Sequence, residues 1–184
     1  MISTSRRSLI AATFLMLTAL STVVLSTPKL PASRQQESVQ FSLRSIDGQA
    51  IGPAELRGQI VVLAVGASWL PLSRKQGQSI RKLANDYGKR GVVVYWVSTD
   101  SEQPKSKNFA SDEQLKAFAR RHDLNVTVLR DPEASVVKQM GVAELPAIII
   151  LDKTGRVYGS PITGLDPEGS LTEQLAEPLD KLLQ

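Results

Sequence analysis

The chain has 184 residues, 22 of them basic and 18 acidic, with one histidine and no cysteine. That length suits one domain with an appendage, and the missing cysteine excludes a disulfide framework and any sulfur nucleophile within the chain. Four of the basic residues (Arg6, Arg7, Lys29, Arg34) and none of the acidic ones precede residue 36, so 18 of each sign remain beyond it. A domain of zero net charge lacks the surplus that phosphate binding needs, and no nucleic-acid partner is expected.

The first elements in chain order are an export segment and a linker. Arg6 and Arg7 precede an uncharged run from Ser8 to Ser26, 19 residues, or about 28 Å as a helix. The hydrocarbon core of a bilayer is about 30 Å thick. Two readings stay open for residues 1–26: a cleaved signal peptide, with passable sites at Ala19-Leu20-Ser21 and Val24-Leu25-Ser26, or a retained hydrophobic anchor helix. Retention is the expectation, with the remainder exported to the periplasmic side of a bacterial inner membrane. Residues 27–38 have linker composition, and residues 39–184 form the domain.

Phe41 to Arg44 and Ala50-Ile51 flank the turn signal "SIDG" and predict a short hairpin. "GPAELRGQ" reads as one helical turn. The apolar run from Gln59 to Val65 fits a strand buried on both faces. After Pro71, Ile80, Leu83, Ala84 and Tyr87 share one face of a helix whose other face carries Arg74, Lys75, Arg81 and Lys82. Those four read as solvated surface, with contact to an acidic partner as the alternative. "GVVVYWVSTD" is the next buried strand, followed by the polar loop "SEQPKSKNFA".

Ser111 to Gln114 fits a capping box for a helix with Leu115, Phe118, Ala119 and His122 on one face. "VTVLRD" is a short strand, and "DPEASVVKQM" a short helix closed by Gly141. "AIIILD" and "VYGSPI" bracket "KTG" as a hairpin. A second capping box, Ser170 to Glu173, opens a final helix with Leu171, Leu175, Leu179 and Leu182 inward, kinked at Pro178. Strands alternating with helices predict a three-layer α/β domain with a central mixed sheet.

Three patterns resemble the thioredoxin-like fold, specifically its redoxin or TlpA-like branch, related to the AhpC/TSA proteins. They are "LRGQIVVLAVGASW", "RDPEASVVKQMGVAELPAIIILDKTGRV" and the helix-strand segment 111–130. The resemblance spans residues 41–183. It implies a thiol-disulfide oxidoreductase fold with a W-C-x-x-C site and a cis-proline loop. In "ASWLPLSRK", however, Leu70 stands at the first cysteine position and Ser73 at the second. Exchange needs a thiolate to attack and a sulfur to be attacked, so family-type redox chemistry is not expected of this chain alone.

Ser73 lacks a visible base, because the lone histidine, His122, sits on an apolar helix face and reads as packed or end-capping. One histidine without cysteine leaves no credible metal site. There is no dinucleotide fingerprint or P-loop, so no cofactor is expected. The resemblance also implies a groove in which the residue before the cis-proline offers its backbone to an extended polypeptide. Trp69, Leu70, Pro71, Leu72, Ser73, Leu145 and Pro146 would form it here. The expectation is a protein without dithiol chemistry that binds polypeptide; the alternative is an oxidoreductase that borrows an external thiol or a partner subunit's.

Overall fold

A computed structural model describes residues 40–164, 166 and 169–184. The signal or anchor expected at 1–26 and the linker at 27–38 lie outside the described residues. Seven strands form one mixed sheet in the order β2-β1-β5-β4-β3-β6-β7. At its edge, β1 (Leu43–Ser45) and β2 (Ala50–Ile51) pair antiparallel, with Leu43 opposite Ile51. The Ser45 hydroxyl accepts from the amides of Asp47 and Gln49 and closes the "SIDG" turn. The single turn α1 (Pro53–Leu56) follows, its Glu55 carboxylate accepting from the Gly52 amide at 2.8 Å.

The centre is β3 (Ile60–Gly66), buried along its whole length. It runs parallel to β4 (Val92–Ser98) and antiparallel to β6 (Ala147–Leu151). Because strand side chains alternate, Ile60, Val62 and Ala64 enter one core and Val61, Leu63 and Val65 the other. The first core is covered by α2 (Pro71–Gly88), α3 (Asp112–Arg121), α5 (Leu171–Gln174) and α6 (Ala176–Leu183). The second is covered by α1 and α4 (Ser135–Gln139). Burying a Val, Leu or Ile contributes about 1.5–3 kcal/mol, so a strand clothed on both faces holds the layers together. The three-layer mixed α/β expectation stands.

The helix starts follow their punctuation. α2 has Pro71 at its first position, where the missing amide hydrogen costs no bond. α3 carries the full capping box: Gln114 N–H donates to the Ser111 hydroxyl, and the Gln114 side chain accepts from the Ser111 amide at 2.7 Å. The two helices meet at Gly77, where any Cβ would overlap the backbone carbonyl of His122.

Two expectations need correction. "VYGSPI" is not a continuous return strand: Val157 makes a lone bridge to Leu151, and β7 (Ile162–Thr163) pairs with Ile148 and Ala147. Between those contacts, residues 158–161 bulge opposite 149–150, and Pro161 has no amide hydrogen to give to a ladder. The final helix is broken rather than kinked. Pro178 cannot donate to the carbonyl of Gln174, and the chain divides at Leu175 into α5 and α6. Only half of the second capping box forms, with Ser170 accepting from the Glu173 amide. Among the described residues no helix is long and apolar enough to cross a membrane.

Candidate functional site

The ends of β3, β4 and β5 (Thr127–Arg130) and the start of β6 lie on one edge of the fold. Val65 pairs with Ala147, so the turn after Gly66 and the loop before Ala147 leave adjacent strands side by side. This ladder brings the two halves of the sequence-predicted site together. The Leu145-Pro146 peptide bond is cis, as expected.

Trp69 and Leu72 are the exposed large hydrophobic residues of the described chain, at 46% and 44%. Pro71 is exposed beside them, while Leu70, Leu145 and Pro146 are half-buried. Leu70 is the N-cap residue of α2 and supplies no capping side chain. Leu145 packs against the second core. Six of the seven predicted groove residues therefore reach the surface.

Ser73 does not. It is 2% exposed and points inward, its hydroxyl accepting from the Ala67 amide at 3.2 Å. A Cβ on Gly66 would stand 2.5 Å from that hydroxyl oxygen, so the strand must end in glycine for residue 73 to fit. The reason lies in the helix: position 73 falls on the same inward stripe as Gly77 and Ile80. Ser73 is thus a structural hydrogen-bond acceptor, removed from the groove lining assigned to it by alignment with Trp69.

His122 ends α3 and is half-buried. Its ring lies 4.7 Å from that of Phe118, which stacks on Trp96 at 5.0 Å. Burial, and then the positive charges of Arg74 and Arg121, push its pKa below the ordinary imidazole range. That direction favours the neutral ring, which packs as the sequence suggests. Among the described residues no cluster of three His, Cys, Asp or Glu could hold a metal ion.

Sequence reasoning missed a buried polar layer directly under this turn. Asp100, 1% exposed, accepts from the Ser68 amide (2.8 Å), the Ser68 hydroxyl (2.7 Å) and the Ser98 hydroxyl (2.7 Å). It fastens the residue before Trp69 to the end of β4. Arg74 grips the same turn from α2, donating to the carbonyls of Ser68 and Trp69. Beside them Arg130, its side chain 1% exposed, donates to the carbonyls of Ala110 (2.8 Å) and Asp100 (3.3 Å) and to Asp112 (3.1 Å). Its Nε is ion-paired with Glu102 at 3.1 Å and makes no hydrogen bond. Arg44 bridges the same two carboxylates at 2.8 Å and holds the Asp112 carboxyl below its ordinary pKa. The only sequence signal was an arginine and an aspartate ending two strands that otherwise read as apolar.

A redox-type turn at the end of a central strand, a helix starting at its proline and a cis-proline loop beside it define a thioredoxin-like protein. Residues 35–160 match the AhpC/TSA family, and the chain belongs to it. It is similar to the thiol-disulfide oxidoreductase ResA of Halalkalibacterium halodurans, 22% identical over 149 residues, 81% of this chain and 76% of that one. It is 30% identical over 152 residues to the chloroplastic peroxiredoxin Q of Sedum lineare, 78% of this chain and 74% of that one. The crystal structure of a secreted Mycobacterium tuberculosis disulfide oxidoreductase superposes with a TM-score of 0.59 at 19% identity, covering 78% of this chain and 96% of that one. The fold is theirs; the cysteines are absent.

Proposed function

We propose that this chain is an exported, membrane-tethered member of the family that binds polypeptide at Trp69, Leu70, Pro71, Leu72, Leu145 and Pro146. The observation that carries the reading is the location of Trp69 and Leu72: among the described residues, the large hydrophobics left in water stand at the family's reactive turn. An exposed apolar patch marks a contact surface when it has no internal use. Leu72→Asp and Leu145→Asp each put a carboxylate into that patch and should abolish recovery of partner polypeptides from the native membrane. Ser73→Ala should leave recovery intact. Its effect is on stability, about 1–3 kcal/mol for the Ala67 amide left buried without an acceptor. Loss of recovery in a folded Ser73→Ala protein, with retention in Leu72→Asp, would overturn the reading.

Tethering rests on the run from Ser8 to Ser26, whose length matches a bilayer. Carbonate-washed membranes should retain the full-length protein, and a soluble form beginning near Thr22 or Thr27 would show cleavage instead.

The relatives support a second reading, an oxidoreductase that uses an external thiol, because ResA is named for thiol-disulfide exchange. Under it, the wild-type chain should accelerate insulin reduction only when glutathione is supplied. Rates equal with and without the protein would remove this reading.

A further inference from the structure

Several cations of α2 and its flank have partners within the chain. Toward its C-terminal half they are matched by the chain's own carboxylates: Arg81 pairs with Asp123, Lys82 with Asp86, and Arg90, just past the helix, with Asp180. Toward its N-terminus Arg74 spends its donors on backbone carbonyls. Arg121, which pairs with no carboxylate among the described residues, lines the same cleft of about 450 Å³ as Arg74. The cleft is lined by Ser68, Arg74, Gln114, Ala117, Phe118, Arg121 and His122, and no lining residue carries a negative charge. The first turn of α2 is also without an acidic side chain, leaving the positive end of its dipole uncompensated.

We propose that this α2–α3 cleft receives a carboxylate side chain of an acidic peptide segment whose neighbouring apolar residue rests on Trp69 and Leu72. The inference depends on the peptide-binding reading above and adds the chemistry of the partner. A cation at the end of α3 already stabilises that helix, which accounts for Arg121 being basic. It does not account for a cleft that carries two arginines and no carboxylate in its lining, the Asp100 carboxylate behind Ser68 being buried and taken up by its hydrogen bonds. Burial chiefly, and the charges of Arg74 and Arg121 after it, hold the His122 pKa down, so the wall's imidazole adds no charge of its own to the two arginines.

The cleft favours a peptide over a bilayer, because a concavity of about 450 Å³ with the buried Phe118 in its lining can take in a side chain, which a flat surface does not offer. The adjoining Trp69 and Leu72 favour a peptide over a free anion, which would have no use for apolar anchors. The exposed Glu144 stands on the cis-proline loop, on the β6 side of Trp69. The acidic flank of the peptide must therefore lie toward α3.

The test titrates full-length protein in neutral detergent with three labelled peptides of one apolar centre and acidic, amide or basic flanks, read by fluorescence anisotropy. The acidic peptide is expected to bind roughly tenfold more tightly than its amide counterpart at low salt, the advantage shrinking as salt screens it. Arg121→Glu should erase the preference, and Arg121→Gln should reduce it. Equal binding of all three, unaffected by Arg121→Glu, would overturn the acidic-partner assignment and leave the groove reading standing. Binding of none would remove the groove reading itself. Arg121-dependent binding of inorganic phosphate or of phosphatidylglycerol vesicles, without acidic-peptide binding, would overturn the proposal in favour of a free anion or a lipid surface.

Discussion

Arg130→Leu is expected to cost about 3–5 kcal/mol of folding stability, the range for breaking a buried ion network by removing one member. The carboxylates of Glu102 and Asp112 are partly exposed and keep Arg44 as a partner, so they are not the main losers. The cost falls on the carbonyls of Ala110 and Asp100, whose donors disappear inside the fold, at about 1–3 kcal/mol for each group left unsatisfied. Urea denaturation should show the fall in midpoint. Because those carbonyls bracket the loop 101–109, trypsin should also cut faster at Lys105 and Lys107, both exposed. A stability change under about 1 kcal/mol would place Arg130 among ordinary surface pairs, and the loop would have to be held by its own turns.

The second large effect is a gain. Leu70→Cys with Ser73→Cys should form an intramolecular disulfide and reduce insulin measurably in the presence of dithiothreitol, where the parent chain adds nothing. The structure already has the asymmetry such a pair needs: residue 70 is half-exposed at the cap of α2, and residue 73 is buried one turn on. A thiol at the cap faces the positive end of an 18-residue helix, which lowers its pKa and raises the thiolate fraction. Gly66 leaves space against which the larger sulfur at 73 can settle. Mass spectrometry after oxidation decides the matter. Two free thiols in a folded protein would mean that residues 69–73 do not make the family's turn in solution.

Much of the architecture was legible because its signals are local. The apolar run at Gln59 to Val65, the capping box at Ser111 and the turn at "SIDG" each declare themselves within a few residues. Leu145-Pro146 was placed by its sequence frame alone. What escaped was whatever depends on distant partners. Asp100 meets Ser68 across 32 positions of sequence, and Arg130 meets Asp100 across 30, and no spacing rule connects them. Ser73 was misplaced for a related reason. Alignment gives its rank after Trp69, but its inward direction follows from where α2 lies on the sheet. The breaks at residues 158–161 and at Leu175 were half-written in Pro161 and Pro178, whose effects a pattern of apolar residues hides.

The contact between Gly66 and Ser73 governs how this site could drift over generations. Alanine at 66 would overlap the γ atom of residue 73 and also crowd the Trp96 indole nitrogen at 3.3 Å, while residue 73 without its γ atom leaves the Ala67 amide unanswered. Neither change is neutral as a first step, and making both still leaves that amide unanswered, so the two positions are coupled and constrain each other. A swap between cysteine and serine at 73 avoids that loss, because either residue keeps a γ atom and leaves position 66 as glycine. The chemistry at this turn is therefore easier to exchange than the scaffold that presents it.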